Sequence, residues 1–240
     1  MDKPKSSSTP FFVAFVLGAL LCITVAMLAT WADLESAFYG FDRRGSTPIR
    51  NLHCPILLNR HETGVVSVKL SNTADHKLSP AARAEFSSPL TSISTLESVE
   101  LAPGESKTVT WTIGPENIDL ERFIFSNIYI YAFYPLPDQE SSCGTFVVDL
   151  PIPGSVLLWT MVLLGLAGMI GGLFKLNRSE PLSTSRLARA LRPLGFLTIV
   201  VTLALAVALA GWWVQAVLLL AVTLMVVVVI VNYVYVRLGL

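Results

Sequence analysis

The sequence predicts an α-helical membrane protein with four transmembrane helices and one extracytoplasmic all-β domain of sandwich type. Two observations lead to this fold class. Only 14 % of the 240 residues are charged and 53 % are hydrophobic, whereas a globular chain carries about 25 % charged residues. The apolar residues also concentrate in four uncharged runs, and one long polar segment, residues 32–154, separates the first run from the other three.

The four uncharged runs predict four transmembrane helices. A helix rises about 1.5 Å per residue, so roughly 20 residues cross a hydrocarbon layer of about 30 Å. Strands are excluded here, because the runs do not alternate and an open sheet edge cannot stay unpaired in lipid. The predicted helices cover residues 11–31, 155–174, 194–210 and 214–236.

The first run has a second interpretation, a cleaved signal peptide. Lys3 and Lys5 precede the run, and residues 30–32 resemble a small-residue cleavage site. However, the run is longer than the roughly 7–15 apolar residues of a usual signal peptide. This length favours an uncleaved anchor, and cleavage would leave three helices without moving the β domain.

Lysine and arginine placement predicts which side of the membrane each segment occupies. Residues 175–193 hold five basic residues and one acidic residue, and short basic loops stay in the cytoplasm. The tails, residues 1–10 and 237–240, are then cytoplasmic as well, and residues 32–154 are outside. Residues 211–213 form a tight outer hairpin. Tryptophan and tyrosine prefer the headgroup level, and their positions agree with this topology. The outer ends of the predicted helices carry Trp31, Trp159, Trp212 and Trp213, and the inner end of the fourth helix carries Tyr233 and Tyr235.

The basic cytoplasmic loop also predicts a short amphipathic helix over residues 183–192. Its arginines Arg186, Arg189 and Arg192 are expected to lie on the inner leaflet, where each contributes about 1 kcal/mol near anionic lipid.

Small residues in the second and third runs predict close helix packing, since they let transmembrane helices approach each other. Packing among the four helices of this chain is favoured over contact with another subunit. The runs contain no Asp, Glu, Lys, Arg or His, which argues against a coupled transporter. The packing residues are Gly165, Gly168, Gly171, Gly172, Ala204 and Ala208.

Residues 32–154 predict an antiparallel β-sandwich after an irregular lead-in over residues 33–51. Apolar residues alternate with period two between turn residues. Val66, Val68 and Leu70 alternate along one expected strand, and Val109, Trp111 and Ile113 lie on one face of another. The expected strands cover residues 64–72, 81–86, 99–101, 107–113, 123–133 and 145–150.

Part of this segment resembles the Ig-like and CARDB-like (cell-adhesion-related) modules of bacterial surface proteins. A strand ends at Asn72, the turn Leu101-Ala102-Pro103-Gly104-Glu105-Ser106 follows, and residues 109–113 alternate Val, Thr, Trp and Ile. The resemblance covers about residues 60–115 and implies an Ig-like sandwich. Such modules serve binding, spacing and adhesion alike, so the resemblance implies a fold rather than one activity. The membrane part resembles no family that we can name.

Cysteine placement predicts one disulfide. Cys22 lies in the first apolar run, which leaves Cys54 and Cys143 as the pair outside. An oxidising exterior favours a bond between them, which would join the two ends of the sandwich. The alternatives are two free thiols, or Cys54 as a metal ligand.

The sequence contains no motif of a zinc protease, a serine hydrolase, a P-loop or a dinucleotide-binding protein. We therefore expect no enzymatic activity and no cofactor. His53, Cys54 and His61 come closest to a metal-ligand group, but exposed loop histidines explain His53 and His61 more simply. A formal net charge of zero argues against a nucleic-acid partner.

These features predict a non-enzymatic protein of the cell membrane that acts by protein–protein contact. Its expected partners are membrane lipids and other membrane or cell-surface proteins, with the chain serving as an accessory subunit or a surface binding module. A bacterial source is expected, because residues 32–154 lack an Asn-x-Ser/Thr glycosylation site. Two alternatives stay open: a metal- or redox-handling protein using His53, Cys54 and His61, and a small oligomeric channel or transporter component.

Overall fold

The computed structural model describes residues 9–38, 47–49, 51–89, 91–131, 137–179 and 186–238. The chain divides into two compact units. The helical unit combines the N-terminal segment up to Thr30 with the chain from Leu158 onward. The β unit is Trp31–Leu157.

Four long helices account for the apolar runs: α1 (Thr9–Phe38), α2 (Gly154–Ser179), α3 (Arg186–Leu209) and α4 (Trp213–Leu238). In the described part of the chain, these four are long and apolar enough to cross a membrane. α1 continues to Phe38, into the segment for which an irregular lead-in was expected, and its last turns belong to the β unit.

Residues 186–192 are helical, as predicted, but they form the first turns of α3 rather than a separate short helix. From Arg186 onward the chain belongs to α3, and Pro193 lies inside that helix without ending it. Residues 186–192 are all Arg, Leu or Ala, which rank among the best helix formers, so no residue there interrupts the helix. Residues 180–185 lie outside the described residues.

A tight turn joins α3 to α4. Gly211 has a φ of 73°, a left-handed conformation that glycine adopts without steric cost. Its N–H donates to the Ala208 carbonyl, and the Trp212 N–H donates to the Val207 carbonyl, both at 3.1 Å. This pair of hydrogen bonds is the Schellman motif that ends many helices, so the hairpin geometry follows from one glycine.

The β unit contains two sheets in the described residues. The larger has the order β1-β9-β8-β5-β6 with β3 also paired to β9, and the smaller has the order β2-β4-β7. The strands are β1 (Thr47–Pro48), β2 (Leu52–His53), β3 (Leu57–Asn59), β4 (Gly64–Ser71), β5 (Ala81–Ser88), β6 (Thr91–Ser98), β7 (Ser106–Ile113), β8 (Phe123–Tyr131) and β9 (Gln139–Val148).

The two sheets share one apolar core and so form a β-sandwich. The alternating faces of β4 and β7 are buried as expected, and the facing residues come mainly from β5 and β8. The core includes Val66, Val68, Leu70, Val109, Trp111 and Ile113 from the smaller sheet, with Ala82, Ala84, Phe86, Ile124, Ile128 and Ile130 opposite.

The larger sheet is mixed rather than purely antiparallel, which corrects the sequence prediction, whereas the pairs of the smaller sheet are antiparallel as predicted. β1 and β3 both run parallel to β9. Between these two strands the chain forms β2, which belongs to the smaller sheet. Residues 99–101 contribute only an isolated bridge between Leu78 and Leu101. β9 begins at Gln139, six residues before the predicted start, and β6 was not predicted at all.

Candidate interaction surface

Cys54 and Cys143 form a disulfide, which confirms the predicted pair. Cys54 follows β2 of the smaller sheet, and Cys143 lies on β9 of the larger sheet opposite Ser126. Their Cα atoms are 6.6 Å apart. The bond therefore fixes the segment in which the chain crosses from one sheet to the other.

The two histidines occupy separate places. His53 lies on β2 opposite Ser67, and the backbone N–H of His61 donates to Asn59 Oδ1 in the turn before β4 (3.0 Å). Both are exposed, and among the described residues no three His, Cys, Asp or Glu side chains are grouped as a metal site. The Cys54 sulfur is bonded to Cys143, so it is not a thiolate ligand in this state.

The turn that carries the resemblance to Ig-like modules is held by Asn72. The buried amide of Asn72 donates to the carbonyl oxygens of His76 (2.8 Å), Leu101 (3.1 Å) and Ala102 (3.1 Å). Gly104, with a φ of 74°, donates its N–H back to the Asn72 carbonyl. These residues have a structural role, because their hydrogen bonds satisfy backbone groups of the turn.

The end of α1 packs on the outer face of the larger sheet, within the β unit. A Cβ at Gly144 would lie 2.0 Å from the Ala32 carbonyl oxygen, so only glycine allows this approach. The Gly144 N–H donates to Asp33 Oδ1 (2.9 Å). The Trp31 ring contacts the rings of Phe123 and Phe146, with centroids 5.4 and 5.8 Å away.

We expect Asp33→Ala to loosen this contact, because the Gly144 N–H would lose its acceptor, at a cost of about 1–3 kcal/mol. Hydrogen exchange of the full chain in detergent micelles would show faster exchange around Gly144. Asp33→Asn is the matched control, since its amide oxygen can still accept this hydrogen bond. Equal exchange in both variants and the unsubstituted chain would contradict the assignment.

Two side chains hold the first residue of α2 and the segment before it within the β unit, one from the last residue of β3 and one from the turn that follows it. Glu62 Oε2 accepts hydrogen bonds from the backbone N–H groups of Asn59 (3.0 Å) and Gly154 (2.7 Å). The Asn59 amide donates to the carbonyl oxygens of Leu150 and Ile152. The segment between β9 and α2 therefore has a defined path over the β unit.

Three of the four predicted packing glycines lie against α1. A Cβ at Gly165 would be 2.7 Å from Cys22 Sγ, one at Gly168 would be 3.0 Å from the Ala14 carbonyl oxygen, and one at Gly172 would be 2.7 Å from the Phe11 carbonyl oxygen. Gly18 on α1, which sequence reasoning missed, meets the backbone of α2 at Met169. A Cβ at Gly171 would meet no described atom within 4 Å. On α3, Ala204 and Ala208 are buried.

The predicted interface residues are only partly described. Trp31, Trp159 and Trp212 are exposed, Trp213 is half-buried, and Arg192 is exposed. The side chains of Arg186, Arg189, Tyr233 and Tyr235 lie outside the described residues.

The edge strand β6 is exposed along its whole length. All eight residues of β6 are exposed, and within the described residues the strand pairs with β5 alone. Its other edge offers backbone N–H and C=O groups to a further strand. Leu96 is 67 % exposed although it belongs to a regular strand. Sequence reasoning missed β6 because its apolar residues do not alternate, although its Thr and Ile content was a usable signal.

A shallow depression of about 530 Å³ adjoins β6 on the outer face of the larger sheet. We call the open edge of β6 and this depression together the β6 surface. The depression is lined by Ala81, Arg83, Ser94, Thr95, Leu96 and Tyr131.

Hydrogen bonds hold Arg83, one of the residues that line this depression. Glu85 accepts from Arg83 Nη2 (3.3 Å) and from the Ser92 hydroxyl (2.6 Å). A hydrogen bond with Tyr131, together with the charge of Glu85, raises the pKa of Arg83 above its ordinary value. The surface thus combines an ordered arginine, a tyrosine and an exposed leucine, and arginine and tyrosine are enriched in protein interfaces.

No family model matches this chain, and no curated protein is similar to it. Among solved structures, a CARDB domain from Pyrococcus furiosus, in complex with di-metal ions, is similar over 41 % of this chain and 84 % of that one, with 15 % identity and a TM-score of 0.33. A cycloisomaltooligosaccharide glucanotransferase from Paenibacillus sp. is similar over 45 % of this chain and 14 % of the enzyme (11 % identity, TM-score 0.32). A β-glucosidase from Listeria innocua is similar over 42 % of this chain and 16 % of the enzyme (16 % identity, TM-score 0.30). The chain therefore spans most of the CARDB domain but only a small part of either enzyme.

Proposed function

We propose that this chain is a non-enzymatic integral membrane protein that binds other membrane or cell-surface proteins through its β unit, as an accessory subunit or a surface binding module. Four helices of membrane-crossing length and composition support membrane insertion. The basic segment 175–193 supports an orientation with both termini in the cytoplasm and residues 32–154 outside.

The observation that carries the proposed binding role is the open edge of β6. Natural sheets usually protect such an edge with Lys, Pro, a bulge or a covering segment. β6 has a single charged residue, Glu97, and no Lys or Pro. An edge of this kind accepts an extended segment of a partner as an additional strand, and the depression beside Leu96 and Tyr131 can hold alternate side chains of that strand.

Site-specific photocrosslinking in cells of the source organism tests this proposal. A benzophenone side chain at Leu96 is expected to give a defined adduct with another membrane protein, and the same group at Val65 is the matched control. Val65 is also apolar and exposed, but it lies on β4 of the smaller sheet. Identical adduct patterns at the two positions, or recovery of monomer only from crosslinked membranes, would contradict a partner at β6.

A charge on the strand should weaken the same contact. We expect Leu96→Lys to reduce co-purification of the crosslinked partner in mild detergent several-fold, because a lysine on an edge strand opposes pairing with a further strand. Val65→Lys should leave the yield of partner unchanged. Equal loss in both variants would indicate a general effect of the charge rather than a contact at β6.

A further inference from the structure

The turn between the 3₁₀ segment Pro115–Asn117 and β8 holds a leucine in an unusual conformation. Leu120 and Glu121 have φ values of 47° and 65°, and they are the two described residues other than glycine with positive φ. Side chains other than Gly, Asn and Asp rarely adopt this region. Such strain persists where the surroundings impose it, and it concentrates at functional positions.

Hydrogen bonds within the turn hold Leu120 and Glu121 in this conformation. The Asp119 N–H donates to the Phe123 carbonyl (2.7 Å), the Phe123 N–H donates back to the Asp119 carbonyl (3.0 Å), and the Leu120 N–H donates to Asp119 Oδ1 (2.8 Å). Arg60 Nη2 contacts the Glu121 carbonyl oxygen at 3.4 Å. Leu120 is therefore held at the tip of a tight turn, with 41 % of its surface exposed.

Two more exposed apolar residues lie at the same end of the β unit. Arg60 joins the turn to the end of β9, because it also pairs with Asp149 (3.8 Å). Leu150 follows Asp149 directly, and Ile152 is tied to Asn59 through its carbonyl oxygen (3.1 Å). Leu150 and Ile152 are 43 % and 42 % exposed. We call Leu120, Leu150 and Ile152 the apolar tip.

The chain itself brings the apolar tip to the level of the membrane surface. Ile152 precedes Ser155, the first residue of the second uncharged run, by three residues. Three residues span at most about 10 Å, and the headgroup layer on each side of the hydrocarbon is about 5–7 Å thick. Glu62 and Asn59 hold Gly154 and the segment before it against the β unit, so the residues that lead to the second uncharged run belong to the β unit.

We propose that the apolar tip enters the headgroup layer of the outer leaflet, so that the β unit rests on the bilayer at this end. The inference depends on the proposed membrane insertion of the helices. The three residues of the apolar tip carry no charge, and the Arg60 guanidinium beside them pairs with Asp149 (3.8 Å), so the proposed contact is apolar insertion rather than attraction to anionic lipid. Zwitterionic phosphatidylcholine is therefore a sufficient surface.

Spin labels on the full chain in phosphatidylcholine vesicles test this contact. Labels at Leu120→Cys, Leu96→Cys and Leu163→Cys are compared by their collision rates with oxygen, which concentrates in lipid, and with a nickel chelate, which stays in water. Leu96 is the matched aqueous control. It is an exposed leucine five residues beyond the start of β6, and about 16 Å of strand separates it from that end. Leu163 lies exposed on α2 and reports helix insertion.

The unsubstituted chain is the control for reaction of the spin label with the native cysteines. Cys22 is fully buried and the other two cysteines form the disulfide, so labelling without reductant should leave that chain unlabelled. Leu150→Cys is a second position on the apolar tip if Leu120→Cys does not fold.

We expect nickel collision rates at Leu120 and Leu163 to be several-fold lower than at Leu96. A lipid-protected label at Leu163 with a water-exposed label at Leu120 would overturn the inference alone and leave the membrane proposal standing. If the apolar tip binds a protein partner instead of lipid, the label at Leu120 should likewise be exposed to water, because these vesicles contain no other protein. A water-exposed label at Leu163 would overturn membrane insertion and the inference with it.

Discussion

Replacing Cys54 with alanine is expected to lower the free energy of unfolding of the β unit by about 2–5 kcal/mol, the usual cost of removing a native disulfide. The bond joins residues 89 positions apart, and long closed loops restrict the unfolded chain most strongly. It also fixes the crossing from β2 to β3, so its loss should loosen the pairing of β3 with β9. Denaturant unfolding of the full chain in detergent, followed by tryptophan fluorescence, measures the effect.

The double variant Cys54→Ala/Cys143→Ala is the control for this measurement. If the bond itself is responsible, the double variant should be no less stable than Cys54→Ala, because one substitution already removes the bridge. A clear additional loss in the double variant would show that packing of the Cys143 side chain carries part of the effect. Unchanged stability of Cys54→Ala would contradict a structural disulfide.

Gly172→Ala is expected to destabilise the helical unit by about 1–3 kcal/mol, which is typical of an overpacked contact. The added Cβ would lie 2.7 Å from the Phe11 carbonyl oxygen and 2.8 Å from the Phe15 nitrogen. Both are backbone atoms, so no side-chain rotation relieves the clash and the two helices must separate. Thermal unfolding of the full chain in detergent micelles would show a lower midpoint.

The neighbouring residue provides a matched control for this substitution. Gly171→Ala adds the same methyl group one position earlier, where no described atom lies within 4 Å. Alanine is a better helix former than glycine by about 1 kcal/mol, so this variant should be as stable as the unsubstituted chain or more so. Destabilisation of equal size in both variants would mean that the glycines serve the helix itself rather than its contact with α1.

The helices could be predicted from sequence because their signal is composition, which does not depend on tertiary context. Their packing partners could not. Gly165, Gly168 and Gly172 were selected by residue type, and so was Gly171, which faces away from α1. The missing information is the helix rotation, because it depends on which face meets the partner. Gly18 was overlooked because it is the single glycine of α1, although Ala14 and Cys22, four residues to either side of it, continue a row of small residues.

In the β unit, period two predicted β4 and β7 because each buries one face and exposes the other. The same signal fails for β6, because both of its faces are exposed. Neither face needs apolar residues, so apolar and polar residues do not alternate along the strand. It also fails for β1 and β3, since two or three residues are too few to show a period. Exposure of both faces makes β6 a candidate binding surface, and the same exposure removes the alternation by which the strand could have been predicted.

The pairing of β1 and β3 with β9 has a consequence for how the protein is made. The first strands of the sandwich complete the larger sheet only when the last strand is present, so the stabilising contacts have a high contact order. If residues 32–154 are exported as proposed, the domain cannot finish folding during translocation until nearly all of it has emerged. Meanwhile the β5–β6 hairpin, whose contacts are local, can form early with both edges open. Both edges of that hairpin stay unpaired until β8 has emerged to pair with β5, so a chain exported as proposed would gain from a chaperone that covers the hairpin during this interval.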